Sequence, residues 1–122
     1  MEKLLNHINT LNNLVLEGRA MEAFEQFYDD EVVMQENAFP PTVSKAVNRE
    51  RELDFFSKVS ELRTLRVLDV AAGDNVTMVV WQYDYTHAEW GRKDYTQVSV
   101  QHWRDGKIVR EQFFYDPTPA QN

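Results

Sequence analysis

Cysteine is absent from the 122 residues, which excludes disulfides and thiolate chemistry and leaves the redox compartment unread. Glycine is scarce, with four in the chain, and no glycine-rich phosphate loop is present, so nucleotide binding has no support. The nucleophile elbow G-x-S-x-G is missing as well. Only three histidines occur, without H-x-H or H-x-x-x-H spacing. Zinc and iron sites need several converging ligands, so no metal site and no cofactor are expected. Basic residues are outnumbered 13 to 20 by acidic ones, for a formal charge of −7. That balance argues against a nucleic-acid partner and against an anionic membrane surface. No stretch approaches the ~18 apolar residues of a membrane span. The N-terminal Met1–His7 lacks the apolar run of a signal peptide. The expectation is a soluble, cytoplasmic protein.

What is present suits one globular domain. Hydrophobic residues make up 43% and charged residues 27%, which separates the chain from disordered sequences. The length allows a single core. We expect one domain over residues 1–117 and a disordered tail over 118–122, marked by Pro117 and Pro119. Leu4, Leu5, Ile8, Leu11, Leu14 and Val15 recur at helical spacing, and Gly18 suits a C-cap. A second helix is predicted over Ala20–Tyr28, ended by Asp29-Asp30-Glu31, with a short strand at Val32–Gln35. Pro40-Pro41 enforces a loop, and a polar third helix runs from Lys45 to about Val59. Strands are predicted over Leu62–Val70 and Val76–His87, separated by Gly73-Asp74-Asn75. Helices followed by antiparallel strands indicate an α+β fold. A curved sheet wrapped over three helices would make a cone with an interior pocket.

The most informative stretch is Tyr95–Pro117. Asp105-Gly106 lies between alternating β-formers, a strong hairpin signal because both turn positions need positive φ. A two-residue loop pairs Trp103 with Ile108, His102 with Val109, Val100 with Glu111 and Val98 with Phe113. One face would then carry Val98, Val100, His102, Val109, Glu111, Phe113 and Tyr115. The other would carry Gln97, Ser99, Gln101, Trp103, Ile108, Arg110, Gln112 and Phe114. A three-residue loop with a bulge would shift the pairing by one and mix the two sets.

Three segments carry a family resemblance: F-Y-D-D-E-V-V-M-Q-E at Phe27–Glu36, V-V-W-Q-Y-D-Y-T-H at Val79–His87, and W-R-D-G-K-I-V-R-E-Q-F-F-Y-D at Trp103–Asp116. With the helices between them, the chain resembles the nuclear transport factor 2-like superfamily, in its SnoaL-like (polyketide cyclase) branch. The resemblance implies a cone-shaped α+β fold and a homodimer through the outer sheet face. It says little about activity, because the fold hosts isomerases, cyclases, hydrolases and non-catalytic binding domains. SnoaL-like cyclases carry a histidine and, two residues on, an acid/base aspartate; those places hold Glu111 and Phe113. The ketosteroid-isomerase roles fall on Gln35, Leu11 and Ser99, which cannot act as that base and oxyanion support. Isomerisation by that constellation is not expected, unless Glu36 supplies the base.

Glu111 is therefore the leading acid/base candidate, since an apolar face would desolvate it and raise its pKa. The competing reading pairs it with Arg110, Arg104 or Lys107 at a sheet edge. His102, on the same predicted face, is its candidate partner as a proton shuttle. His87 is expected at the surface and His7 in a structural contact. Gln35 is a candidate polar anchor. Trp81, Tyr83, Phe113 and Tyr115 are candidate walls for a small, apolar, ring-containing ligand. Core packing or a dimer interface would use the same aromatics. Three functions stay open: an acid/base enzyme, a non-catalytic binding domain, and a protein-interaction module.

Overall fold

The first helix, α1 (Glu2–Leu16), buries Ile8 and Leu11 and stops where Gly18 takes φ of 81°. The amide of Gly18 donates to the Val15 carbonyl (3.1 Å) and that of Arg19 to the Leu14 carbonyl (2.8 Å), the paired bonds of a Schellman cap. The computed structural model describes residues 2–117; the expected tail over 118–122 lies outside the described residues. α2 (Ala20–Phe27) follows, and Tyr28 opens β1 (Tyr28–Glu36) instead of closing the helix. The acidic Asp29-Asp30-Glu31 lies inside that strand. After the proline loop come β2 (Thr42–Val43) and α3 (Lys45–Lys58). Ser44 caps α3, its hydroxyl accepting from the Val47 amide at 3.3 Å. Then follow β3 (Val59–Gly73), β4 (Val76–His87), β5 (Gly91–Arg104) and β6 (Lys107–Phe114).

The six strands form one curved sheet in the order β2-β1-β6-β5-β4-β3. All neighbours are antiparallel except β1 and β6, which run parallel. This α+β architecture is the expected cone; β1 extends on both sides of the strand expected over Val32–Gln35, and β2 is the one strand not read from the sequence. Both differences lie between α2 and α3, where proline and acidic residues obscure β patterning. Among the described residues no helix is long and apolar enough to cross a membrane.

The Asp105-Gly106 turn forms as predicted, with φ of 52° and 77°. Arg104 faces Lys107 and Trp103 faces Ile108. The ladder then breaks: His102 faces Arg110, so Val109 is an extra residue bulged out of register. Because side chains alternate with period two, the bulge exchanges the faces of β5 relative to β6 beyond it. Gln101 now faces Glu111 and Ser99 faces Phe113. Gln97, Ser99, Gln101 and Trp103 are buried on the concave side, whereas His102 is exposed on the convex side. The expected grouping of Val98, Val100 and His102 with Glu111 is thus corrected.

Helices α1 and α2 close the end of the cone near the hairpin. Ile8, Phe24, Phe27, Val79, Trp103 and Ile108 form the packed core there. His7 stacks on Trp103 with ring centroids 5.7 Å apart, the structural contact expected of it. Away from that end, β4 and β5 stay paired as far as His87 and Gly91, and the interior is hollow.

No side chain would meet a Cβ added at Gly106, so its substitution isolates the conformational cost of positive φ. Gly106→Ala should lower stability by about 1 kcal/mol. The urea midpoint should fall with an unchanged slope; an unchanged midpoint would show that the turn does not require the left-handed conformation.

Candidate active site

The hollow is a cavity of about 1100 Å³ bounded by α1, α2, α3 and the concave sheet face. Glu111 lies in its wall at 3% exposure, placed there by the Val109 bulge. A directed hydrogen-bond chain holds it. The Trp103 indole donates to Thr77 Oγ1 at 2.9 Å. Thr77 in turn donates to Gln101 Oε1 at 2.7 Å. That leaves the Gln101 amide nitrogen to donate to Glu111 Oε2 at 2.7 Å. The Tyr28 hydroxyl donates to the other carboxylate oxygen. Hydrogen bonds to a charged group are worth about 1.5–3 kcal/mol each, and both of these favour ionised Glu111. Burial acts the other way and prevails, pushing Glu111 up to about 7.

A second carboxylate faces the same cavity. Glu52 of α3 is pushed up to about 7 by burial and by the negative charges of Glu111 and Glu36, against the opposing pull of Arg51. Among the described residues, no donor hydrogen-bonds it. The site therefore holds two carboxyl groups that exchange protons near neutrality, the condition for general acid/base work.

Aromatic rings make up much of the rest. Trp81, Tyr83 and Tyr85 follow one another along β4, with Trp81 and Tyr83 stacked at 5.9 Å. The Tyr85 and Tyr95 hydroxyls lie 3.0 Å apart. Tyr95 stacks on Tyr115 at 4.8 Å, and the Tyr115 hydroxyl donates to Glu36 at 2.6 Å. Burial raises the pKa of Tyr28, Tyr83, Tyr95 and Tyr115, so these phenols are neutral at physiological pH. Toward the open end, Phe39, Leu53, Phe56, Leu62 and Trp90 border the cavity while remaining exposed. Trp90 lies flat on His87, centroids 3.7 Å apart, and His87 Nδ1 accepts from the Glu89 and Trp90 amides.

The structure brings Glu111, Trp81, Tyr83, Phe113 and Tyr115 to one cavity. It does not bring His102 there, since the bulge turns that imidazole outward. His87, expected at the surface, is 2% exposed. Gln35 borders the cavity, but its amide is engaged elsewhere. It donates to the Phe39 carbonyl at 2.9 Å and accepts from Arg110 at 3.4 Å, so it ties down the proline loop. Sequence reasoning missed Tyr28, Gln101, Thr77, Glu52 and Asn12. Gln101 was assigned to the outer face by the unbulged register. Glu52 has one signal: Asn48, Glu52, Phe55 and Val59 recur at i, i+4, i+7 and i+11, a helical face within a very polar segment. Among the described residues, no cluster of three or more His, Asp or Glu could hold a metal ion.

The SnoaL-like domain profile matches residues 6–115. The chain belongs to the SnoaL-like domain family. Among curated proteins, none matches it. Solved structures similar to this SnoaL-like domain include a provisionally assigned SnoaL-like polyketide cyclase from Mesorhizobium loti, at 18% identity, TM-score 0.82, and coverage of 92% of this chain and 98% of that one. A provisionally assigned isomerase from Bacillus subtilis is 22% identical, with TM-score 0.69 and coverage of 95% and 88%. A nuclear transport factor 2-like protein of unknown function from Burkholderia xenovorans LB400 is 18% identical, with TM-score 0.72 and coverage of 98% and 88%. Identities this low establish the fold of the SnoaL-like domain, and its chemistry has to be argued from its own cavity.

Glu111 titrates near 4.5 when unfolded and near 7 when folded, so the folded state holds the extra proton in between. Its contribution to stability is complete below about pH 4.5 and is lost as pH rises through about 7. The loss is about 2–4 kcal/mol. Glu111→Gln should flatten the decline in unfolding free energy between about pH 5 and pH 8. Parallel curves for the two proteins in urea denaturation would place the carboxylate in solvent instead.

Proposed function

We propose that this SnoaL-like domain binds a small, ring-containing, largely apolar metabolite in its cavity and performs acid/base chemistry on it. The carrying observation is Glu111: a carboxyl buried in an aromatic-walled hollow, held by two donors and, among the described residues, given no countercharge. In this reading Glu111 transfers the proton, Tyr28 and Gln101 hold its carboxylate, and Trp81, Tyr83, Phe113 and Tyr115 contact the ring. The exposed apolar residues at the open end provide a path that a hydrophobic ligand would favour. Position 113 favours a second reading, a non-catalytic binder. The phenylalanine there extends the wall where the resemblance anticipates an acid/base aspartate.

The two readings separate once a ligand is found by screening ring-containing metabolites. Glu111→Gln should reduce turnover about 10²–10⁴-fold, with ligand affinity changed much less. Tight binding of a ligand that the wild-type protein leaves chemically unchanged would support the binder. A variant as active as wild type would remove Glu111 from the mechanism.

On the convex sheet face, Met78, Val80, Val98, Val100 and Phe114 are adjacent across β4, β5 and β6. Met78 and Phe114 are exposed, and no segment among the described residues covers them. A second copy of the chain is the proposed cover, in keeping with the homodimer that the resemblance implies. Light scattering at micromolar concentration should give about twice the 14.4 kDa chain mass, and Met78→Lys should give monomer. A wild-type protein that scatters at the monomer mass would rule the dimer out.

A further inference from the structure

Most charged residues around the cavity are in ion pairs. Arg19 pairs with Glu17 and Glu22, Arg51 with Glu36 at 3.3 Å, and Lys58 with Asp54 at 3.1 Å. Glu52 and Glu111 are left over: among the described residues, neither has a cation within ion-pair distance. Glu111 has its two protein donors, whereas both oxygens of Glu52 are unclaimed. A second unclaimed group lies on α1. Asn12 lines the cavity at 4% exposure, and neither polar atom of its amide has a hydrogen-bond partner. A buried amide without partners costs roughly 1–3 kcal/mol unless something else bonds to it. The cavity thus presents the unclaimed Glu52 carboxylate beside the rings of Trp81, Tyr83 and Tyr95. Carboxylates and aromatic rings both attract positive charge.

Resting on the pocket reading above, we propose that the ligand is a ring-bearing organic amine bound in its protonated form, with Glu52 as the anchor for its ammonium group. The aromatic walls take the ring and stabilise the charge by cation–π contact. This completes what the protein leaves open. A neutral ligand would deepen the burial of two carboxyl groups without compensating either, whereas a cation offsets both.

The electrostatics give the proposal a pH signature. The groups facing Glu52 are Glu36 and Tyr28 from β1, Tyr83 from β4, Glu111 from β6 and Arg51 from its own helix. The two glutamates raise its pKa, Arg51 lowers it, and the phenols stay neutral. A bound ammonium lowers it further, so binding expels protons and strengthens as pH rises through about 7.

The test uses two probes of the same shape, 1-naphthylmethylamine and 1-naphthylmethanol, titrated calorimetrically into the full chain at about pH 6, 7 and 8. We expect the amine to bind about 10- to 100-fold tighter than the alcohol at the highest pH. That advantage should shrink at the lowest pH, and binding should release protons in buffers of different ionisation enthalpy. Glu52→Gln should bring the amine-to-alcohol affinity ratio toward one. Should that variant fail to fold, the pH slope of the wild-type ratio decides alone. An alcohol that binds as tightly as the amine, or that tightens as pH falls, overturns the cationic ligand and leaves the pocket reading standing. Failure of both probes to bind overturns the cationic ligand and counts against the pocket as well.

Discussion

An indole N–H can donate a hydrogen bond and cannot accept one. In this domain an indole heads a chain of buried hydrogen-bonded groups. Trp103 donates to Thr77, Thr77 donates to the Gln101 carbonyl oxygen, and the Gln101 nitrogen donates to Glu111. With the amide reversed, a carbonyl oxygen would face the carboxyl group and repel its ionised form. The network in this direction gives Glu111 one donor, and Tyr28 supplies the second from the neighbouring parallel strand. None of these donors is charged, so the carboxyl stays poised between its two protonation states.

A hollow of this size removes apolar contacts that a packed interior would have made. The fold localises that loss. Its packed core lies where α1 and α2 seal the hairpin end, around Ile8, Phe27, Trp103 and Ile108. The far end is left to rings that touch one another edge-on or stacked, such as Tyr85, Tyr95 and Tyr115. Rigid aromatics with few rotatable bonds keep such a wall standing at little entropic cost. Support at one end and emptiness at the other place a titrating carboxylate beside a space that can hold a ligand.

Much of the architecture was legible in the sequence because its signals are local. The Asp105-Gly106 turn needs positive φ at both residues, and that is what it adopts. The limits of β4 follow from alternation bounded by turn residues, and the stop of α1 follows from Gly18. The placement of Trp81, Tyr83 and Tyr85 on one strand face needed only the two-residue period. The site was legible only in part. Glu111 stood out as an acid in an apolar hairpin, but its partners did not. Tyr28 looked like the last residue of a helix, Gln101 like an outer-face polar residue, and Glu52 like one more charge in a hydrophilic helix.

The sequence by itself determined most of the element types, the hairpin turn, the aromatic strand and the presence of one acid, Glu111, among the apolar residues of the hairpin. These depend on dihedral preferences and periodicities that act over a few neighbours. Tertiary structure decided which face of β5 points inward, because one bulged residue, Val109, inverts an alternation that reads equally well either way. It also decided the company Glu111 keeps. Tyr28 bonds to it, Thr77 bonds to its partner Gln101 and Glu52 shares its cavity, all from strands and a helix far away in the chain, and no local rule encodes a meeting made by the closing of the sheet.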